Sequence, residues 1–218
     1  RGDFGGAGAE SVSDCPLSLL ADLEVRGLVE RVGAQRFSLH PLVKDYARER
    51  LEADPLDARF CRLRHCKYFL ERVVERDERS SGAIFSSEYA DLGAAWTFAV
   101  SQNETGIAWR AAEALFYGLA SRSKFQEAAD LFSACAGDTA LDLHCRAMRA
   151  SALMHIGLLG EARQLADLVL ARECEPLASA HAHQALGNVD HAEGNYASAR
   201  AHYDLAREAR SAAADALG

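Results

Sequence analysis

His181, Gln184, Asn188 and His191 are spaced three, four and three residues apart, so on a helix they share one face. Imidazoles and amides in such a row can exchange hydrogen bonds with a peptide or receive an anionic group. His144, Ser151, Met154 and His155 make a similar row earlier in the chain, and Arg110, Glu113 and Tyr117 one earlier still. Four of the eight histidines fall in these rows. Two readings stay open for them: a polar binding groove, or a solvated helix face on which the histidines have no task. His183 falls at an interhelix packing position and is expected in the core.

Other residues imitate reactive or metal-binding sets. Cys61, His65 and Cys66 are close in sequence, as are His144 and Cys145. Adjacent helical residues diverge by about 100°, so His65–Cys66 and His144–Cys145 make poor chelates, and no metal site is expected. The six cysteines (15, 61, 66, 135, 145 and 174) lack C-x-x-C spacing and read as reduced thiols of a cytoplasmic protein. No glycine precedes a lysine, so the chain has no phosphate-cradling loop of its own. The G-x-S-x-G and H-E-x-x-H patterns are also missing. No nucleophile, base and orienting group fall at a recognisable spacing, so no catalytic residue and no enzyme activity is expected of this chain.

Charge narrows the partners further. The net charge of the 218 residues is −8. Residues 1–50 hold seven basic and eight acidic side chains, and the remainder 17 and 24. Phosphate-backbone binding calls for a clustered basic excess, and neither part has one. Arg59, Arg62, Arg64, Lys67, Arg72, Arg76 and Arg79 crowd one helix, but Glu71, Glu75, Asp77 and Glu78 dilute them into a solvated face. No apolar run approaches the roughly 20 residues of a membrane span. The chain opens with RGDFGGAGAE, without an initiator Met or a signal-peptide pattern, and reads as a piece of a longer polypeptide.

The elements that must position these residues are mainly helical. PLSLLADLEVRGLVE predicts a helix started by Pro16 and stopped at Gly27. VERVGAQRFSLH predicts two short strands around Gly33-Ala34-Gln35. Leu42, Val43, Tyr46, Ala47 and Leu51 then follow helical spacing. This is the outline of a partial winged helix over residues 1–52, with its first helix in GDFGGAGAESVS or upstream. A linker over 53–108 follows. Its first helix is predicted to run from an Asp57 cap to about Asp77, burying Phe60, Leu63, Tyr68, Phe69, Leu70 and Val73. The serine-rich ERSSGAIFSSE separates it from a helix in EYADLGAAWTFAVS.

From residue 109 the chain repeats itself. SKFQEAADLF, GLLGEARQLA and GNYASARAHY begin at Ser123, Gly157 and Gly194, spacings of 34 and 37 residues. That period with a helix-turn-helix unit is the tetratricopeptide pattern. Leu186, Gly187, Gly194, Asn195, Tyr196, Ala199, Tyr203 and Ala206 sit at the pattern's relative positions. Ala150, Gly157, Ala162 and Ala166 supply a degenerate second match, and Phe125, Ala128 and Phe132 a first. Units are expected at about 109–142, 143–176 and 180–213, with Leu177-Ala178-Ser179 inserted. The tail SAAADALG starts a fourth unit or a cap. The predicted fold is thus mainly α: a partial winged helix with a short β-hairpin, then an α-superhelix of tetratricopeptide-like hairpins with a concave face.

SLLADLEVRGLVERVGAQRFSLHPLVKDYARERL resembles the winged-helix end of bacterial STAND signal-transduction ATPases of the NB-ARC type. RFCRLRHCKYFLERV and EYADLGAAWTFAVS resemble the helical linker to tetratricopeptide repeats in that family. The resemblance spans nearly the whole chain, most closely at 17–51 and 180–210. It implies a nucleotide-binding domain upstream, closed around ADP, with ATPase activity there and no cofactor held by this chain alone. Leu39-His40-Pro41 falls on the family's MHD motif, whose histidine contacts the β-phosphate of ADP. His40 therefore carries over as the nucleotide contact, while Pro41 replaces the motif's aspartate. The local alternative for His40 is a helix-start residue bonded to nearby backbone.

The family reading makes the chain a regulatory sensor in a cytoplasmic bacterial protein. A protein, peptide or ligand on the concave face would control nucleotide-dependent activation, and homo-oligomers would follow opening. One rival is a DNA-binding winged-helix transcriptional regulator with a repeat dimerisation domain. Its recognition helix, LSLLADLEVR, has only Arg26 against Asp22 and Glu24, so direct DNA contact is disfavoured. The other is a free-standing peptide-binding adaptor.

Overall fold

The computed structural model describes residues 3–75, 85 and 88–215. These are mainly helical, with one small antiparallel sheet. They divide into two compact units, Arg1–Ile107 and Ala108–Gly218. No described helix is long and apolar enough to cross a membrane.

The first unit is built on a sheet of β1 (Phe4–Gly5), β2 (Val29–Gly33) and β3 (Arg36–Leu39) in the order β1-β3-β2. The predicted hairpin is β2–β3, with Val29 opposite Leu39 and a bulge between Arg31 and Gly33. Strand β1 was not foreseen: two residues give no periodicity, yet Phe4 pairs with Phe37. Helix α1 (Gly6–Ser13) lies inside the stretch expected to hold it, and α2 (Leu17–Val25) starts after Pro16. Leu20, Val29 and Phe37 form the buried centre, with Phe4, Ala9, Cys15, Leu23 and Leu39 packed around them.

Helix α3 (Pro41–Glu52) corrects one expectation. Its amphipathic spacing leads one to expect a covered apolar face, yet none of its residues is buried, and Leu42 and Tyr46 are 74% and 63% exposed. Helix α4 (Pro55–Glu75) packs on α1 and α3 and on α5 (Tyr89–Ser101). It buries Phe69, Leu70 and Val73 as predicted, with Leu63 and Tyr68 half-buried, but Phe60 is exposed. Its first turn is capped by Asp54, whose Oδ1 accepts the N–H groups of Leu56 and Asp57 at 3.1 and 3.2 Å. Asp57, the predicted cap, already lies in the helix. Most of the serine-rich stretch, with Arg76, Asp77, Glu78 and Arg79, falls outside the described residues. Phe85 within that stretch is buried.

The remaining helices are α6 (Thr105–Ala120), which spans the division between the units, then α7 (Phe125–Phe132), α8 (Ala140–His155), α9 (Leu159–Leu170), α10 (Pro176–Ala192) and α11 (Tyr196–Asp215). Leu177-Ala178-Ser179 form the first turn of α10, and Ser211–Asp215 extend α11. Helix α8 packs on α7, α9 and α10, and α10 on α9 and α11. Ala147, Ala150, Ala166, Ala178, Ala182 and Ala185 are fully buried at these contacts with Val169 and Leu186. Alanine side chains let neighbouring helix backbones approach closely, which suits an alanine-rich composition.

Three turns in this unit share one geometry. Ser123, Gly157 and Gly194 adopt φ of 56°, 84° and 81°. Their N–H groups donate to the carbonyls of Ala120, Met154 and His191. The following N–H groups, of Lys124, Leu158 and Asn195, donate to the carbonyls of Leu119, Leu153 and Asp190 at 3.0, 3.0 and 2.8 Å. That pairing is a Schellman helix end. Ala128, Ala162 and Ala199, each five residues beyond the left-handed position, are all buried. A turn with the same bonding ends α5 at Asn103.

Candidate functional site

Helix α8 starts where its sequence says it should. Thr139 and Asp142 form a capping box: Thr139 Oγ1 accepts from Asp142 N at 3.2 Å, and Asp142 Oδ2 accepts from Thr139 N at 3.0 Å. This anchoring puts His144 in the second turn. Pro176 opens α10 and puts His181 there at a similar depth. On α6, Trp109, Glu113 and Tyr117 recur every fourth residue and so form one stripe.

These three helices bring Glu113, His144 and His181 together. Glu113 Oε1 accepts a hydrogen bond from His181 Nε2 at 2.7 Å and lies 3.2 Å from His144 Nε2. The second approach lacks hydrogen-bond geometry, and both ring nitrogens of His144 are buried without a hydrogen-bond partner. Trp109 stacks on the His144 ring at 4.7 Å between centroids, and His181 meets that ring edge-on at 5.5 Å. Phe116 holds His181 from another side, with centroids 5.9 Å apart. The aromatic packing fixes both imidazoles with their edges toward the carboxylate.

Electrostatics follow from this enclosure. Burial alone would raise the Glu113 carboxyl, but the two imidazoles outweigh it and hold the group at about 2. Burial pushes His144 below the ordinary histidine value, so its neutral form is favoured. The site is a partly exposed anionic carboxylate facing two buried imidazoles. Such a set can ligate a cation or hold a hydrogen-bonding ligand.

The predicted groove residues divide into two groups. Glu113, His144 and His181 converge, and the two histidines are buried instead of lining a solvated groove. Ser151 is also buried, its hydroxyl donating back to Ala147 O at 3.4 Å. The others lie toward solvent. Arg110 and Tyr117 are exposed. His155 stacks on Phe125 at 4.1 Å, and His191 meets the edge of Tyr196. Gln184 donates to Asn188 at 3.3 Å, and Asn188 also accepts from Tyr203 at 3.0 Å. His183 is half-buried between α10 and α11, its Nδ1 3.1 Å from that of His202.

His40 lies in the first unit, at the N-cap of α3. Its Nδ1 accepts from Leu42 N at 3.3 Å, while Pro41 occupies the first helical turn. With Nδ1 used as acceptor, the ring proton sits on Nε2. An open depression of about 620 Å³ lies next to it, lined by Pro41, Lys44 and Arg48 among others. His40 does not line that depression.

Comparisons with protein-family models, curated proteins and solved structures give no match to this chain.

One further constellation escaped the sequence reading. Asp190 on α10 is buried and accepts from Arg163 on α9 at 2.7 Å and from the Ser198 hydroxyl on α11 at 2.5 Å. The signal was an aspartate beside Val189, three and four residues beyond Gly187 and Leu186, on the face of ALGNVDHA that packs inward. Burial alone would raise the Asp190 carboxyl, and the Ser198 and Arg163 bonds overcome this to lower it. The cluster ties three helices together and has the character of a structural clamp.

Proposed function

We propose that this chain is a non-catalytic regulatory part of a STAND-type nucleotide switch. Residues 108–218 act as tetratricopeptide-like repeats that receive a protein, peptide or ligand on their concave face. Residues 3–52 act as the end of a winged helix that faces a nucleotide module. The observation that carries this reading is the turn repeated at Ser123, Gly157 and Gly194, each followed five residues later by a buried alanine. The turn alone is common, since one of the same bonding ends α5 at Asn103 with Ala108 buried five residues on; the spacings of 34 and 37 residues, close to the tetratricopeptide period, are what support the reading.

Two features of the first unit support the other half of the proposal. His40 caps α3 through Nδ1, which leaves Nε2–H to donate to a phosphate near that helix start. Leu17, Val25, Leu42, Tyr46, Leu56 and Phe60 are exposed, a quantity of apolar surface that a docked nucleotide module would cover. In the parent protein, ADP would hold the closed form, and a ligand that binds the open form better would shift the balance toward it. The sequence of the encoding gene ahead of Arg1 tests the reading. A phosphate-binding loop followed by a Walker B strand is the expected result, and a gene without them overturns it.

A further inference from the structure

We propose that Glu113, His144 and His181 form a binding site for one divalent transition-metal ion of the zinc class. The proposal does not depend on the regulatory reading above. One carboxylate oxygen and one nitrogen from each imidazole lie within 4.8 Å of one another. They come from three helices of one unit, so no local spacing motif announces them.

The state of His144 points to a ligand. Its ring is wholly buried, and neither nitrogen has a hydrogen-bond partner. A buried imidazole left this way is costly, and an apolar side chain of similar size would avoid the cost. Stacking on Trp109 occupies the ring face and leaves the nitrogen edge directed at Glu113. A metal ion gives that edge its missing partner.

The two separations from Glu113 suit a small ion after a modest adjustment, and the two imidazole nitrogens lie within 4.8 Å of each other. Zinc sits about 2.1 Å from nitrogen and oxygen ligands, which places tetrahedral ligand atoms roughly 3.4 Å apart. Glu113 Oε1 and His144 Nε2 are already 3.2 Å apart. The 2.7 Å contact with His181 must open by about 0.7 Å on the same estimate. Glu113 is partly exposed and can supply that movement. On binding, the His181 ring proton moves from Nε2 to Nδ1, so that Nε2 presents its lone pair to the ion. Two imidazoles with one carboxylate favour zinc-like ions over calcium or magnesium, which need more oxygen ligands. Three protein ligands leave a fourth position for water or an incoming group.

The test uses the whole chain, stripped with chelator and kept reduced, and titrated with Co²⁺ and then Zn²⁺. Expected are visible Co²⁺ bands of a four-coordinate nitrogen and oxygen site at one equivalent, abolished by Zn²⁺, with a change in Trp109 fluorescence. Glu113→Gln and His181→Gln should each weaken Zn²⁺ binding at least about tenfold while the far-UV spectrum stays that of the parent chain. Glu113→Gln is the deciding variant, because its side chain is not fully buried and the replacement keeps its shape. Absence of binding by the unmodified chain overturns the proposal. So do thiolate-to-cobalt charge-transfer bands, or an affinity unchanged in Glu113→Gln.

Discussion

Gly187 lies against the ring of Tyr203 so closely that a Cβ on it would sit 2.5 Å from Tyr203 Cε1 and 2.6 Å from Cδ1. The edge of the ring, not a flexible tip, fills the space. The Tyr203 hydroxyl is also held, donating to Asn188 Oδ1 at 3.0 Å. The α10–α11 contact therefore depends on a missing side chain; the sequence placed both residues at tetratricopeptide positions but did not pair them.

Gly187→Ala should destabilise the second unit by about 1–3 kcal/mol, the usual cost of overpacking. The ring must swing away, and its bond to Asn188 goes with it. Tyr203→Ala in the same chain should absorb most of the added cost, giving a non-additive double-mutant cycle in urea denaturation. Full additivity would mean that the two residues do not share this space.

Asp190 makes stability sensitive to acid. Its folded-state pKa is lowered, so the unfolded chain binds more protons as pH falls through the carboxylate range near 4. The stabilisation is present above that range and lost below it. Asp190→Ala should cost about 2 kcal/mol at pH 7, since it strands the Ser198 hydroxyl and the Arg163 guanidinium. Asp190→Asn should flatten the fall in urea midpoint between pH 6 and 4. An unchanged slope would remove Asp190 from the acid response.

What the sequence made legible follows from how locally each feature is encoded. The hairpin, the start of α2 and the turns at Gly157 and Gly194 rest on residues within one or two turns of each other, and glycine marks them directly. Strand β1 is two residues long, and its pairing with β3 comes from residues more than thirty positions away. Helical spacing put Leu42 and Tyr46 on one face but could not say whether that face is covered. Glu113, His144 and His181 were each placed on the first helix of a repeat. Their convergence depends on Trp109 and Phe116 fixing two rings, a tertiary fact that no spacing within one helix contains.

The turns supply a third prediction. No atom lies within 4 Å of a Cβ built on Gly157 or Gly194, so an alanine there meets only the strain of its left-handed backbone. Gly157→Ala and Gly194→Ala should each cost about 1 kcal/mol. Ser123 already bears that strain, and Ser123→Gly should relieve it, partly offset by a more flexible unfolded chain, leaving stability within about 0.5 kcal/mol of the parent or slightly higher. Thermal denaturation of the three variants checks this. A loss of stability in Ser123→Gly comparable to that of the alanine variants would deny the three turns a common geometry.

His40 can be divided into its two roles by choice of substitution. The Nδ1 contact with Leu42 N is a helix cap, and an asparagine side chain reproduces it with its own oxygen. His40→Ala should lower the stability of this chain by about 1 kcal/mol or less, and His40→Asn should leave it unchanged. Neither substitution preserves the Nε2–H that the nucleotide role requires, because asparagine ends short of it. If the proposed upstream nucleotide module is present, both variants of the protein that carries it should copurify with less ADP than the parent, measured by chromatography of the released nucleotide. ADP content that follows cap strength, retained in His40→Asn and lost in His40→Ala, would show that His40 acts only through the helix start. ADP content unaltered in both would remove His40 from the latch altogether.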